Sequence, residues 1–323
     1  MTAVIPIERR TGSPVARRSL EVALVNLMPD TAFQESERQF TDLVLTGSGE
    51  LPVHLERYTI SARPRPAELQ AVVEKRYHDL EELCEGVPDA VVVTGTEPKA
   101  GRLLDEDIWE DLSRLYRWAE ASGTALYSSC LSSHVSLLAL DGLERRRLPA
   151  KLSGVFAQEV RPDPLTEGVG PLRCPHSRLH EIPTDALAAA GYRVLVGSSA
   201  VGWTVAARDA GCLSVLVQGH PEYGPTTLLR EYRRDVRRFV TGDQDDYPPM
   251  PVGYLRDDAV ALLELFRLAA TTGARDPSLI DLFPFHFCAD RIGTDWGGPL
   301  ERLVGNWLHE VARRVNLGAL APR

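Results

Sequence analysis

The topology can be predicted from the segment Thr124-Ala125-Leu126-Tyr127-Ser128-Ser129-Cys130-Leu131-Ser132-Ser133-His134. An apolar run ends in small residues, Cys130 stands at the break, and a segment with helical apolar spacing follows. This pattern predicts a strand, a sharp turn and a helix, with Cys130 at the turn. The sulfur would then lie at a helix N-terminus, where the partial positive charge favours thiolate over thiol. The alternative is a buried structural cysteine, because free cysteines are among the most buried residues.

Outward from this stretch, short apolar runs alternate with segments of helical spacing. Strands are predicted at residues 20–26, 52–58, 89–95, 155–160, 193–196, 203–207 and 212–218, and helices at residues 33–45, 67–84, 105–122, 226–239, 259–270 and 299–315. The segment 89–95 contains a continuous apolar run, which is typical of a strand covered on both faces. The alternation predicts an α/β fold, a doubly wound, mostly parallel sheet flanked by helices. In such sheets ligands bind beyond the carboxyl ends of the strands, where Gly95 and Cys130 both fall.

Composition narrows the class of protein. The chain has 323 residues and a net charge of −9, so no basic surplus is present to neutralise nucleic-acid phosphates. It has no apolar run of membrane-spanning length and no secretory signal pattern. Its five cysteines show no metal-ligand spacing, so we expect no metal site and a reducing cytoplasm. We also expect residues 1–19 to form a flexible arm, and residues 20–323 a single α/β domain with a helical C-terminal addition.

A charged run, Glu144-Arg145-Arg146-Arg147, follows the helix after Cys130. We interpret it as a charge cluster at a helix end on a solvated face. The alternative is a role in binding the phosphates of a cofactor.

A nucleophile, a base and an orienting acid can be assembled from the sequence. His220 follows Gly219 directly after an apolar strand, and Glu222 lies two residues further on, where its carboxylate can hold one imidazole nitrogen. With Cys130 these are the parts of a cysteine acyl-transfer site. The backbone N–H groups near Leu131 and Gly95 are the expected oxyanion donors. Taken singly, His220 and Glu222 would be a turn-capping histidine and a surface carboxylate.

Several segments match one known family in the same order along the chain. They are Val25-Asn26-Leu27-Met28-Pro29, Val93-Thr94-Gly95, Cys130, Lys151-Leu152-Ser153-Gly154-Val155, Pro175-His176-Ser177-Arg178, Gly219-His220-Pro221-Glu222-Tyr223, Arg234-Asp235 and Asn306-Trp307-Leu308. On these segments the sequence resembles the homoserine O-acyltransferases of methionine biosynthesis, the homoserine O-succinyltransferase family. The resemblance implies a class I glutamine amidotransferase-like (flavodoxin-like) fold and a homodimer.

The resemblance also implies a ping-pong reaction on small-molecule substrates, with no permanently bound cofactor. Cys130 would take the acyl group from an acyl-coenzyme A, succinyl-CoA or acetyl-CoA, and the hydroxyl of homoserine would then accept it. His220 would act as general base and Glu222 would orient it. Arg234 would pair with the carboxylate of the amino acid, a bidentate task that suits a guanidinium. Further substrate-binding positions implied by the family are Lys151, Ser177 and His176, the last of which is alternatively a packed histidine.

The sequence departs from the family pattern at several positions. Asp30-Thr31 replace a lysine pair, Leu131 replaces the usual Trp, and His134 replaces the usual Gln. The loop after Thr94-Gly95, residues 96–101, also differs from the family pattern. In the family, one residue of this loop goes with the choice between an acetyl and a succinyl donor. Without a gap that position falls on Lys99, and an alignment of the prolines moves it to Ala100. A lysine there can pair with a succinyl carboxylate, which favours succinyl, whereas Asp30 favours the opposite.

Three alternatives stay open. One is a glutamine amidotransferase or another cysteine hydrolase on the same fold, against which the absence of a Gly-x-Cys-x-Gly pattern at Cys130 counts. Another is an acyltransferase for a different hydroxy amino acid, such as serine. The last is a non-catalytic binding module.

Overall fold

The computed structural model describes residues 19–61 and 63–317, and the chain forms two compact units. Unit 1 comprises the chain up to Leu143, the segment Ala207–Leu216 and the chain from Val304 onward. Unit 2 comprises Glu144–Ala206 and Val217–Leu303. The arm predicted at residues 1–19 lies outside the described residues except for Ser19. No helix within the described ranges is long and apolar enough to cross a membrane.

The first half of the chain alternates strands and helices. Its elements are β1 (Leu20–Val25), α1 (Phe33–Ser48), β2 (Val53–Thr59), α2 (Ala67–Arg76), β3 (His78–Asp79), α3 (Leu80–Gly86), β4 (Ala90–Val93), α4 (Trp109–Ser122), β5 (Ala125–Ser129) and α5 (Leu131–Asp141). A 3₁₀ turn at Leu103–Asp105 precedes α4.

The second half is richer in antiparallel strands and then becomes helical. Its elements are β6 (Arg146–Val160), β7 (Leu172–Glu181), α6 (Thr184–Ala189), β8 (Arg193–Ser198), β9 (Gly202–Ala210), β10 (Cys212–Val217), α7 (Thr227–Thr241), α8 (Asp257–Thr271), α9 (Phe285–Ala289) and α10 (Pro299–Arg314). Further 3₁₀ turns lie at Pro164–Thr166 and Pro277–Leu282.

The sheet of unit 1 is the predicted doubly wound α/β sheet. Its strand order is β3-β2-β1-β4-β5-β10, and the pairs from β3 to β5 are parallel. Leu126 of β5 packs into a core with Leu112 of α4 and Val135 of α5. Adjacent residues of a strand point to opposite faces, and the ring of Tyr127 lies 5.7 Å from that of Trp307 on α10. Helices therefore cover both faces of β5, which confirms the predicted fold class.

Unit 2 contains an antiparallel sheet and a helical core. The strand order is β9-β8-β6-β7, and β6 pairs antiparallel with both β7 and β8. The helices α7, α8 and α9 contribute buried residues to one apolar cluster, which includes Tyr232, Val236, Leu263 and Cys288. This cluster supports the residues that follow β10.

Two expectations about local structure are wrong. The helix predicted at residues 67–84 is broken, because Tyr77 is extended (φ −121°, ψ 142°) and Asp79 starts a new helix with a capping box to Glu82. The run Glu144–Arg147 does not lie at a helix end. Arg146 already belongs to β6, where it pairs with Glu181 of β7 at 2.7 Å. The strand predicted at 155–160 therefore begins at Arg146.

Gly154 lets two segments of unit 2 approach closely. Its φ is +150°, and a Cβ atom there would lie 2.7 Å from the backbone nitrogen of Val252 and closer still to its carbonyl oxygen. The backbone N–H of Val155 donates to the Val252 carbonyl at 2.8 Å, and the Val252 N–H donates to Ser153 at 3.0 Å. Any side chain at Gly154 would separate these paired backbones.

We expect Gly154→Ala to lower the free energy of unfolding by about 1–3 kcal/mol, since the added methyl group overpacks a backbone contact. Gly170 is the matched control, because a Cβ there meets nothing within 4 Å. Denaturant unfolding of both variants and the parent chain measures the effect. Equal midpoints for all three proteins would contradict the close approach.

Candidate functional site

Cys130 stands between β5 and α5 in a strained backbone conformation. Its φ is +49° and its ψ is −112°, a region that costs a non-glycine residue about 1–3 kcal/mol. Two buried serines fasten the turn to unit 1: Ser132 Oγ donates to the Thr94 carbonyl and Ser133 Oγ donates to the Ser128 carbonyl, both at 2.6 Å. The small residues of the segment 124–134 therefore hold the sulfur at the strand end.

Gly95 lies directly beside this turn, as predicted for two strand ends in one sheet. A Cβ atom at Gly95 would lie 3.3 Å from the Cβ of Cys130. Leu131 is the first residue of α5, so its N–H has no acceptor within the helix. Within residues 19–61 and 63–317, neither the Gly95 nor the Leu131 N–H donates to a protein acceptor. Unit 1 thus places two backbone donors next to Cys130.

The loop at residues 96–101 is held by the buried carboxylate of Glu106. It accepts the N–H of Lys99 at 3.0 Å and the N–H of Ala100 at 3.1 Å. The Lys99 side chain is 57% exposed, and its ammonium donates to Asp107 at 2.7 Å. The structure therefore places Lys99 in a surface ion pair, and its part in donor choice stays a prediction.

His220 and Glu222 lie in the turn after β10 in unit 2. The Nδ1 atom of His220 lies 2.7 Å from Glu222 Oε1, and the two side chains are 8% and 4% exposed. The backbone N–H of His220 donates to the carbonyl of Pro175 at 2.8 Å. A carboxylate at Nδ1 fixes the proton on that nitrogen and orients the ring. The contact expected between this imidazole and this carboxylate is present.

Gly219 allows the turn that carries His220 and Glu222, here called the histidine turn, to pack against β7. A Cβ atom there would lie 2.5 Å from the sulfur of Cys174 and 3.2 Å from the Pro175 carbonyl oxygen. Cys174 is completely buried, and burial raises the pKa of its thiol. The position before His220 therefore accepts no side chain.

Lys151 and Arg234 meet at one buried carboxylate, that of Asp235. Lys151 Nζ donates to Asp235 Oδ2 at 2.5 Å, and Arg234 Nε donates to Oδ1 at 3.0 Å. Burial opposes the charged form of Asp235, but Lys151 and Arg234 outweigh it and lower the pKa of the carboxyl below its ordinary value of 3.8. The structure thus brings together two of the predicted substrate-binding residues. Arg234 is 41% exposed, so its guanidinium reaches solvent.

His176 lies inside unit 2. Its Nε2 lies 3.1 Å from Thr204 Oγ1, whose hydroxyl donates to Gln158 Oε1 at 2.8 Å. The hydroxyl proton is used there, so Nε2 of His176 carries the ring proton. Burial, assisted by the charges of Arg178 and His220, lowers the pKa of His176 well below its ordinary value. His176 is a neutral, packed histidine, while its neighbour Ser177 is half-buried opposite Ser153 of β6.

An open cleft of about 1170 Å³ lies in unit 2 between the start of β6, the helix α6 and residues 199–202. Of the predicted site residues, Lys151 lines it, together with Arg146 and Arg178. The other predicted positions divide by unit. Gly95, Lys99, Cys130 and Leu131 belong to unit 1, and His176, Ser177, His220, Glu222 and Arg234 belong to unit 2.

Sequence reasoning missed two residues that hold the candidate site together. Asp235 joins Lys151 to Arg234, although the two cations are far apart in the sequence. The sequence contains one indication of this role: Asp235 lies three residues after Tyr232 and four before Phe239, on the same buried face of the helix. Tyr223 stacks on His220 with 4.2 Å between ring centroids. Tyr223 lies in the segment Gly219-His220-Pro221-Glu222-Tyr223 that matches the family, but the match gave it no role.

Comparisons with known proteins agree on one family. A family model described as HTS, homoserine O-succinyltransferase, matches residues 2–317. A homoserine O-succinyltransferase of Rhodopseudomonas palustris is 42% identical over 301 residues, which is 92% of this chain and 90% of that protein. One of Methylorubrum extorquens is 41% identical over 308 residues, 95% of this chain and 91% of that protein.

Solved structures resemble the chain in fold. The crystal structure of SMU.1228c matches with a TM-score of 0.50 at 11% sequence identity, covering 91% of this chain and all of that chain (100%). A glutamine amido transferase from Methylobacillus flagellatus matches with a TM-score of 0.48 at 15% identity, covering 95% and 99%.

We expect Asp235→Asn to lower the free energy of unfolding at pH 7 by roughly 1–3 kcal/mol, because Lys151 and Arg234 lose their shared counter-charge. A carboxyl whose pKa is lower in the folded chain contributes stability above its unfolded pKa, and this is lost as pH falls through the folded value. The gap between parent and variant should therefore shrink below about pH 4.

Denaturant unfolding between pH 3 and pH 8 measures this gap. Asp245→Asn is the control, since Asp245 is an exposed carboxylate in the loop after α7. A gap that stays constant down to pH 3 would show that the ion cluster is not its source.

Proposed function

The chain belongs to the homoserine O-succinyltransferase family, and we propose that it transfers an acyl group from acyl-coenzyme A to the hydroxyl of L-homoserine through an acyl-enzyme on Cys130. We propose succinyl as the favoured group. The observation that carries the proposal is the strained turn at Cys130, which unit 1 fastens with two serine hydrogen bonds. Strain of this kind persists only where the surroundings over-determine it, and it concentrates at reactive residues.

In the first half-reaction the sulfur of Cys130 attacks the thioester carbonyl carbon. The thiol proton passes to Nε2 of His220, a carbon–sulfur bond forms to Cys130, and the bond to the coenzyme A sulfur breaks. The departing thiolate takes the proton back from His220. The N–H groups of Gly95 and Leu131 stabilise the transient oxyanion, because both lie beside Cys130 and donate to no protein acceptor in the described ranges.

In the second half-reaction the hydroxyl of homoserine attacks the acyl-enzyme. His220 takes the hydroxyl proton, an ester bond forms, and Cys130 leaves with the proton that His220 returns. Glu222 keeps the imidazole in one tautomer throughout, since its carboxylate holds Nδ1 at 2.7 Å.

We assign the acceptor's carboxylate to Arg234. Asp235 accepts from one edge of the guanidinium, and a guanidinium has five N–H donors in a fixed plane. The 41% exposure of the side chain lets the group meet a solvent-borne anion. Asp235 also holds Lys151 at 2.5 Å, so one carboxylate positions both cations. Arg234 and Lys151 are thus positioned in advance to bind an anionic substrate.

The donor assignment rests on the family and on Lys99. An ammonium pairs well with the free carboxylate of a succinyl group, and Lys99 is exposed. To do so it must exchange Asp107, its partner in the structure, for the substrate. Exposed ion pairs of this kind contribute about 1 kcal/mol or less, so the exchange is easy.

We expect brief incubation with succinyl-coenzyme A to add one succinyl group to the chain, located on Cys130 by mass spectrometry. Acetyl-coenzyme A should acylate more slowly. Cys130→Ala should show no adduct and no transfer to homoserine while keeping its folded circular-dichroism spectrum, since no other residue replaces the nucleophile. Substantial turnover by Cys130→Ala, or glutamine consumption without acylation, would overturn the proposal.

We expect Arg234→Ala to raise KM for homoserine by about 10- to 100-fold, because a charge-assisted bidentate contact is lost. KM for the acyl donor should change much less. Arg237→Ala is the matched control, an exposed arginine on the same helix. Steady-state kinetics with each substrate varied in turn measures both constants. An equal rise in both KM values would exclude the carboxylate role.

A further inference from the structure

We propose that Tyr223 is a positioning residue that fixes the plane of the His220 imidazole. The inference rests on the proposed function, in which His220 moves the proton. It assigns a task to a residue outside the nucleophile, base and acid, and every contact behind it lies within unit 2.

The stack between the two rings is close and nearly parallel. Their centroids lie 4.2 Å apart with 20° between the ring planes. The carboxylate of Glu222 holds Nδ1. A single hydrogen bond still leaves the ring plane some freedom to tilt by rotation about χ2, the Cβ–Cγ bond. An aromatic face against the imidazole blocks this rotation. Together the two contacts determine where Nε2 points.

Tyr223 itself is anchored at three points. Its N–H donates to the His220 carbonyl at 3.3 Å, and its carbonyl accepts the indole N–H of Trp296 at 2.9 Å. Its hydroxyl donates to Glu231 Oε1 on α7 at 2.8 Å. The ring also packs against the helical core of unit 2. The phenol ring is therefore held in place by the helical core of unit 2, and the imidazole of His220 is oriented against it.

The phenol ring of Tyr223 also interacts favourably with the positive charge that His220 acquires during proton transfer. When the imidazole takes a proton it becomes a cation against the electron-rich face of a phenol. The stack thus favours the protonated state while holding its geometry. Misplacement of a proton-transfer group by about 1 Å can slow a reaction by about 100-fold. We therefore expect the stack to act on kcat rather than on substrate binding.

The test compares Tyr223→Phe and Tyr223→Leu with the parent chain. Tyr223→Phe keeps the ring and should retain kcat within a fewfold. Tyr223→Leu removes the ring and should lower kcat by about 10- to 100-fold, with both KM values changed by less than about twofold. Tyr247→Leu is the control, because Tyr247 packs on the same core cluster, where its ring contacts Phe239 and its hydroxyl contacts that of Tyr232. It should leave kcat unchanged.

Proton NMR supplies a readout that does not depend on turnover. The phenol ring current shields the Hε1 proton of His220, whose resonance is assigned by its loss in His220→Asn. The resonance should keep its position in Tyr223→Phe and move downfield in Tyr223→Leu. If Tyr223→Leu does not fold, Tyr223→Met fills the core space with a flexible side chain and replaces it.

Each outcome decides the question. A downfield shift with a fall in kcat and rescue by Phe supports the positioning role. An unchanged resonance, or a shifted resonance with an unchanged kcat, overturns it. Absence of acyl transfer in the parent chain removes the proposed function instead, and the NMR comparison then reports whether the two rings are stacked in solution.

Discussion

The backbone at Cys130 is the constraint on which the candidate chemistry depends. A residue with a side chain is held at a positive φ, and the free energy for this comes from the packing around it. Ser132 reaches back to the end of β4 and Ser133 to the end of β5, so the first turn of α5 is hydrogen-bonded to two strands. The hydroxyl of Tyr116 donates to the Ser132 carbonyl at 3.0 Å from the neighbouring helix. A parallel sheet with short βα turns is what allows these contacts to converge.

Unit 2 solves a different physical problem, the burial of charge. An isolated buried charge is costly, and both of its carboxylates at the candidate site have partners. Glu222 holds His220, and Asp235 holds Lys151 and Arg234. In each case the partner is a group that the proposed reaction uses. The interactions that compensate burial therefore also orient the functional side chains, and loss of one would affect stability and activity together.

The sequence predicted local structure well where the signal was local. The strand, turn and helix around Cys130 follow from neighbouring residues, and so does the contact of His220 with Glu222. The break at Tyr77 was missed because it depends on tertiary contacts, including a hydrogen bond from its hydroxyl to the buried Glu37. The strand β7 was missed because it contains Pro175, a residue that argues against a strand interior.

The site residues show the same division. Lys151 and Asp235 are 84 positions apart, so nothing local could pair them. The resemblance to a family supplied Lys151 and Arg234 as candidates, and it included Asp235 in a matching segment without giving it a role. In the loop at residues 96–101 the family pattern pointed to Lys99. The loop is held by Glu106, a buried acid that the pattern did not indicate. A single sequence therefore does not reveal the residues that hold other site residues in place.

The buried sulfur of Cys174 has a consequence for chemical selectivity. In the proposed reaction the acyl thioester is an electrophile that could acylate any reactive thiol of the chain. Burial raises the pKa of Cys84, Cys174, Cys212 and Cys288, to about 11 for the last, so these four remain protonated at neutral pH. Protonated thiols are poor nucleophiles. The fold thereby protects its own spectator sulfurs from misacylation, although one of them lies directly beneath the histidine turn.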